Sequence, residues 1–158
     1  LFFLTKKCFN KRNITIGIKR KANEMNKHID KAMELRNKTP MMDNCSQTIM
    51  RTYAKELGID EKLAASMGCN FGGGMKCGST CGVITAGLIV LGAKGIDSPS
   101  VTNEFQKRIA QNHDGMTNCA DLLRANAQKG GVKKIHCDDM IKESIALIDE
   151  LVAREENK

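Results

Sequence analysis

Seven cysteines stand out in this chain. A thiolate, unlike a thiol, binds metal and attacks disulfides, so what matters is which cysteines sit where the charged form is favoured. Cys45, Cys81, Cys119 and Cys137 share one local setting. Each follows a polar residue able to cap a helix and opens an apolar stripe. Cys45 lines up with Ile49, Cys81 with Ile84 and Leu88, Cys119 with Leu122 and Leu123, and Cys137 with Met140 and Ile141. The first turn of a helix has unpaired N–H groups and a partial positive charge, both of which favour thiolate. Four such helices around one core would aim four thiolates at a common point, a metal or redox site. The competing reading is that each cysteine is a small buried hydrophobe. For any one of them that reading is better. For four in matched positions the chemical reading outweighs it.

Between Gly68 and Gly82 lies a segment with six glycines in fifteen residues and two further thiols, Cys69 and Cys77. A flexible loop could bring either thiol to the site as a replacement ligand, a second metal site or a resolving cysteine; an incidental loop cysteine is an equal alternative. Gly72, Gly73 and Gly74 permit close backbone approach, with N–H groups donated to sulfur to tune its potential; the plain alternative is a flexible connector. As a phosphate cradle the loop is a weak signal, because it lacks the GxxxxGK[ST] run and no preceding strand supports a dinucleotide fingerprint. His113 and His136 could bind metal, but single histidines near helix ends are more often caps or surface residues. Cys8 is assigned no role, and no residue is singled out as catalytic.

The elements that must position these thiols are helices. Only six residues are aromatic, so the core relies on Leu, Ile, Val, Ala and Met, a palette suited to packed helices. The pattern predicts a peripheral helix over 26–38, stopped by Pro40, and a second from Cys45 to Gly58 capped by Asp43 or Asn44. Asp60 starts a short helix through about Met67. Residues 81–93 are apolar nearly all round and predict a buried central helix capped by Ser79 or Thr80. Ser98-Pro99 opens the next, to about Asn112, and Thr117 or Asn118 caps another that Gly130-Gly131 breaks. The last runs from about His136 into the 150s. The fold class is all-α, a compact single-domain bundle of about six helices with a Gly/Cys-rich loop before a buried central helix. Ile14-Thr15-Ile16 alternates briefly, and no convincing strand or repeat is seen.

The formal charge of +7 invites a nucleic-acid reading. Residues 1–24, however, carry seven basic residues and one acid, which accounts for +6 of it, and the rest is near neutral with interspersed signs. No nucleic-acid partner is expected. Residues 1–24 are read as a basic tail, disordered or upstream of a native start at Met25, and 25–158 as the cysteine domain. Leu1-Phe2-Phe3-Leu4 is too short for a signal peptide's apolar region, and no small-residue cleavage site follows. The longest apolar run, Val83 to Ala93, is too short for a membrane span. A cytoplasmic location is expected, where thiols stay reduced and seven cysteines point to metal or redox chemistry rather than a disulfide framework.

Asn44-Cys45-Ser46-Gln47, Phe71-Gly72-Gly73-Gly74-Met75, Cys81-Gly82-Val83-Ile84-Thr85-Ala86-Gly87, Cys119-Ala120-Asp121-Leu122-Leu123 and His136-Cys137-Asp138 occur in the order of a known family's landmarks. Over about residues 26–154 the chain resembles the redox-active C_GCAxxG_C_C family, defined by four separated cysteines with one inside a CGAxxG motif. In that motif Val83 stands for Ala, and the glycine arrives one residue late, as Gly87, which implies slightly shifted helix packing there. A related domain occurs in split-Soret cytochromes. The resemblance implies an iron–sulfur centre held by Cys45, Cys81, Cys119 and Cys137, with Gly82 joining Gly72, Gly73 and Gly74 on the cofactor side. Covalently bound haem is not expected, because no Cys-x-x-Cys-His occurs. The leading expectation is electron transfer or redox sensing through that cluster, with an unidentified redox partner protein and a homodimer as one arrangement. The alternatives are metal-free thiol–disulfide or persulfide chemistry, an oxidoreductase role, and a zinc or copper site.

Overall fold

A computed structural model describes residues 27–40 and 43–158. The basic segment 1–24, Met25, Cys8 and Ile14-Thr15-Ile16 lie outside the described residues. The described part is all-α: α1 spans 27–37, α2 Cys45–Tyr53, α3 Glu61–Gly68, α4 Gly82–Ala93, α5 Pro99–Asn112, α6 Cys119–Gln128 and α7 Lys133–Glu155, with a π-turn at Gly74–Gly78. Among the described residues that is eight helical elements where about six were expected. One of the added elements is the glycine segment, expected as a loop, which coils as a π-turn. The sole β feature described is an isolated bridge between Thr80 and Asn118.

α2, α4 and α7 touch one another pairwise and form the centre. α4 is the buried helix its uniform apolarity predicts, with Val83, Ile84, Ala86, Val90 and Leu91 fully covered. α7 is 23 residues long, about 35 Å at 1.5 Å per residue, and backs α4 along its length. Ile141, Ile145, Ile148 and Leu151 supply its buried stripe, and the Ser144 hydroxyl donates to the Val83 carbonyl at 3.1 Å. α5 packs across both helices. A Cβ on Gly87 would lie 2.3 Å from the Phe105 ring. The displaced glycine of the CGAxxG-like run is therefore the place where α4 admits an aromatic ring.

Local signals explain most helix starts. Asn44 caps α2 and forms a capping box with Gln47, and Asp60 accepts from the Lys62 and Leu63 N–H groups at the start of α3. Three expectations need correction. α2 ends at Tyr53 rather than Gly58, and the chain continues as turns through Gly58. α4 is capped by Cys81 itself, without a side-chain cap bond, rather than by Ser79 or Thr80, because those residues engage the strand-like contact with 117–119. α7 starts at Lys133, directly after Gly130-Gly131, so Cys137 sits in its second turn and not its first.

Candidate functional site

Four segments deliver the four expected cysteines to one place. Cys45 is the first residue of α2, Cys81 immediately precedes α4, Cys119 is the first residue of α6, and Cys137 lies in the second turn of α7. All four line one cavity of about 620 Å³, together with Arg36, Asn44, Gly73, Val83, Leu122, Lys133, Lys134, His136 and Met140 among others. Cys69 ends α3 and Cys77 is exposed on the π-turn; neither lines this cavity.

The site's geometry depends on how the glycine segment is coiled. Gly73, Gly74, Met75 and Lys76 all have φ between 55° and 64°, a left-handed turn that carries two non-glycine residues. It brings the Gly73 N–H to the Cys45 sulfur and packs Gly74 so closely that a Cβ there would lie 2.9 Å from Cys119 Cβ. The turn is held from outside by Lys76, which donates to Asn70 at 2.8 Å. Beyond it, the Cys119 N–H donates to the Ser79 carbonyl and the Cys81 N–H to the Thr117 carbonyl, both at 2.8 Å. These two bonds tie the cysteines at the starts of α4 and α6 to one short backbone pairing. Gly82 is equally constrained, since a Cβ there would lie 2.7 Å from the Cys45 sulfur. Gly72 instead packs on the Asn44 side chain.

Electrostatics single out one thiol. The Cys81 thiol donates a hydrogen bond to the Cys45 sulfur, and the Gly73 and Ser46 N–H groups donate to it as well. Led by the Cys81 bond and aided by nearby Arg36, these outweigh burial and lower the Cys45 pKa from 9.0 to about 6. The same bond, with burial, pushes Cys81 far upward. Burial, then the Cys45 charge, raises both Cys119 and Cys137. At neutral pH the metal-free site therefore holds one thiolate among three thiols.

Residues that the sequence reading passed over, Arg36, Lys133 and Lys134, surround this arrangement. Arg36 is 5% exposed; its Nε donates to Asp138 at 2.6 Å and its Nη1 to the Asp43 carbonyl at 3.0 Å. α1, expected to be peripheral, thus sends a buried guanidinium to clamp the starts of α2 and α7 beside Cys45 and Cys137. Its only sequence signal was a charge adjoining Leu35 on an apolar face. Lys134 also bonds Asp138, whereas Lys133 lines the cavity with no carboxylate partner among the described residues. His136 lines the cavity too, 6.2 Å edge-on from the His113 ring, and His113 in turn pairs with Glu143 at 2.6 Å. Burial, then His113, lowers the His136 pKa.

The donor set suits a group bound by several thiolates. Among the described residues no three Cys, His, Asp or Glu side chains converge tightly enough to hold a single metal ion. Four thiols line one cavity, and thiolate is the donor type that iron–sulfur clusters take. No described helix is long and apolar enough to cross a membrane.

Residues 43–151 match the family model described as "Putative redox-active protein (C_GCAxxG_C_C)". No curated protein and no solved structure matches the chain.

Proposed function

The chain belongs to that family, and from this premise we propose that it is an electron-transfer or redox-sensing protein whose centre is an iron–sulfur cluster held by Cys45, Cys81, Cys119 and Cys137. The observation that carries the reading is four thiols from four separate segments lining one cavity. When bound, such a cluster supplies one-electron chemistry at a potential set by its ligands and their hydrogen bonds. Cys45 is already ionised near neutrality, and the other three would release protons on loading, so uptake should be favoured at higher pH. The N–H groups of Gly73 and Ser46 at Cys45 and of Val83 at Cys81 are donors of the kind that stabilise thiolate sulfur and raise a cluster's potential. Arg36 and Lys133 add positive charge to the wall. Anaerobic purification followed by iron, acid-labile sulfide and visible-absorption analysis tests the proposal. A colourless protein that lacks both elements after reconstitution would sink it.

A second reading has its own observation, the thiol–thiolate hydrogen bond between Cys81 and Cys45. In a metal-free cycle the Cys45 thiolate attacks a disulfide substrate, forming a mixed disulfide and expelling one thiolate. Cys81 then loses its proton and attacks the Cys45 sulfur, closing a Cys45–Cys81 disulfide and expelling the second thiolate. This reading requires reduced, metal-free protein to reduce one equivalent of a disulfide substrate, and to turn over only when an added dithiol reduces the Cys45–Cys81 disulfide again, with Cys45 as the trapped residue; reduction that survives Cys45→Ser would exclude it.

A further inference from the structure

Beside the cavity, residues 126–137 contain three lysines, Lys129, Lys133 and Lys134, and no carboxylate of their own. Lys134 pairs with Asp138 at 2.6 Å and Lys129 with Asp114 at 3.8 Å, while Lys133 has no carboxylate partner among the described residues. Within that stretch Val132 and Ile135 are 58% and 60% exposed, the two most exposed of the large hydrophobic residues described. Lys133 and Lys134 line the cavity between them in sequence, and Cys137 follows within one turn of α7. Two bare apolar side chains interleaved with cations, against the wall of a thiol site, are what a docking surface near a buried redox centre needs: an apolar contact to exclude water and a charge to orient the approach.

We infer that the face formed by Lys129 to Ile135 receives an acidic redox protein, docked with carboxylates around the lysines and an apolar spot over Val132 and Ile135. The inference rests on the redox reading of the cavity and names the partner's chemistry. Charge decides among the possible occupants. Residues 1–24 of this chain carry a net +6 and would be repelled by three lysines. A second copy seated face to face by a two-fold axis would set these lysines against themselves. An acidic partner meets neither obstacle.

The test uses the full chain, isotope-labelled and titrated with oxidised plant-type ferredoxin as the acidic probe and basic cytochrome c as the control. Saturable shifts at 126–137 are expected with the ferredoxin alone, weakening about tenfold between low and physiological ionic strength. Lys133→Glu and the pair Val132→Ser with Ile135→Ser should each weaken binding about tenfold or more, with unchanged thermal melting showing that the variants fold. The inference is overturned by no saturable shifts, by equal binding of cytochrome c, by shifts centred elsewhere, or by variants that bind like the parent. Shifts at 126–137 that grow with protein concentration before any probe is added would assign the face to a second copy and overturn it too. Binding is read without electron transfer, so an absence of both iron and sulfide after reconstitution sinks the cluster proposal separately, whereas loaded protein that fails to bind sinks only the docking face.

Discussion

The two ends of α2 solve the same problem in opposite ways. At its C-terminal end Tyr53 donates to Asp149 at 2.7 Å, and His28 stacks on Tyr53 with ring centroids 4.6 Å apart. His28 also bonds Asp149 at 2.9 Å and Glu56 at 2.6 Å, and Lys94 pairs with Glu56. Every polar group in this cluster has a partner, and the cluster locks α1, α2 and α7 together. At the N-terminal end Cys45 is ionised, its partner thiols are held neutral, Lys133 has no carboxylate partner among the described residues, and all of them face a cavity. A saturated network holds a fold together. An unsaturated one, bordered by tightly packed glycines, leaves its groups free for chemistry.

The comparison breaks if Cys45 behaves as an ordinary thiol. In metal-free protein its alkylation should reach half its maximal rate near pH 6, which leaves roughly a hundredfold more thiolate at pH 7 than a thiol of pKa 9 would have. Cys81→Ala removes the leading cause and should move that midpoint upward, whereas Tyr53→Phe should leave it in place. Gly82→Ala forces a methyl to within 2.7 Å of the Cys45 sulfur and 2.8 Å of the Phe71 carbonyl oxygen. It should cost about 1–3 kcal/mol in denaturant unfolding and disturb the Cys45 titration at the same time. Tyr53→Phe should cost about 1–2 kcal/mol, through the lost bond to Asp149, without touching thiol reactivity.

The pH dependence of stability separates the ends by sign. Cys45 has a lowered folded pKa, so its contribution is absent below about pH 6 and grows as pH rises toward 9. For His28, burial acts downward, but the bonds and charges of Asp149 and Glu56 outweigh it and the pKa ends raised. Its contribution is therefore full below pH 6.5 and is lost as pH rises through the higher folded value. Unfolding of metal-free Cys45→Ser should lose the rising component, and that of His28→Gln the falling one; the same pH profile in both variants would contradict the assignment. The smallest effect should be a gain. Met75→Gly relieves a left-handed residue at φ 55° that is 40% exposed and should stabilise by about 1 kcal/mol. The Cys45 alkylation midpoint should hold in that variant, since the Gly73 N–H remains.

The helices were legible from local signals, because caps, proline and apolar spacing act within a few residues. Asn44, Asp60, Ser98-Pro99 and the apolar run 81–93 each marked an element the fold contains. The glycine segment was legible as a special place but not as a left-handed coil. Its conformation, with Met75 and Lys76 at positive φ against their own preference, is imposed by contacts to Asn70, Ser79 and Cys119 that lie outside any local window.

By itself the sequence determined that helices would form and that four cysteines would stand at or near their starts, since both follow from nearest-neighbour chemistry. The tertiary structure alone decided that Cys45 and Cys81 share a hydrogen bond, that Arg36 reaches Asp138 across 102 positions, and that Cys69 and Cys77 stay outside the cavity. Those outcomes depend on how α2, α4 and α7 pack, and packing is settled by the whole apolar surface at once rather than by any stretch of chain.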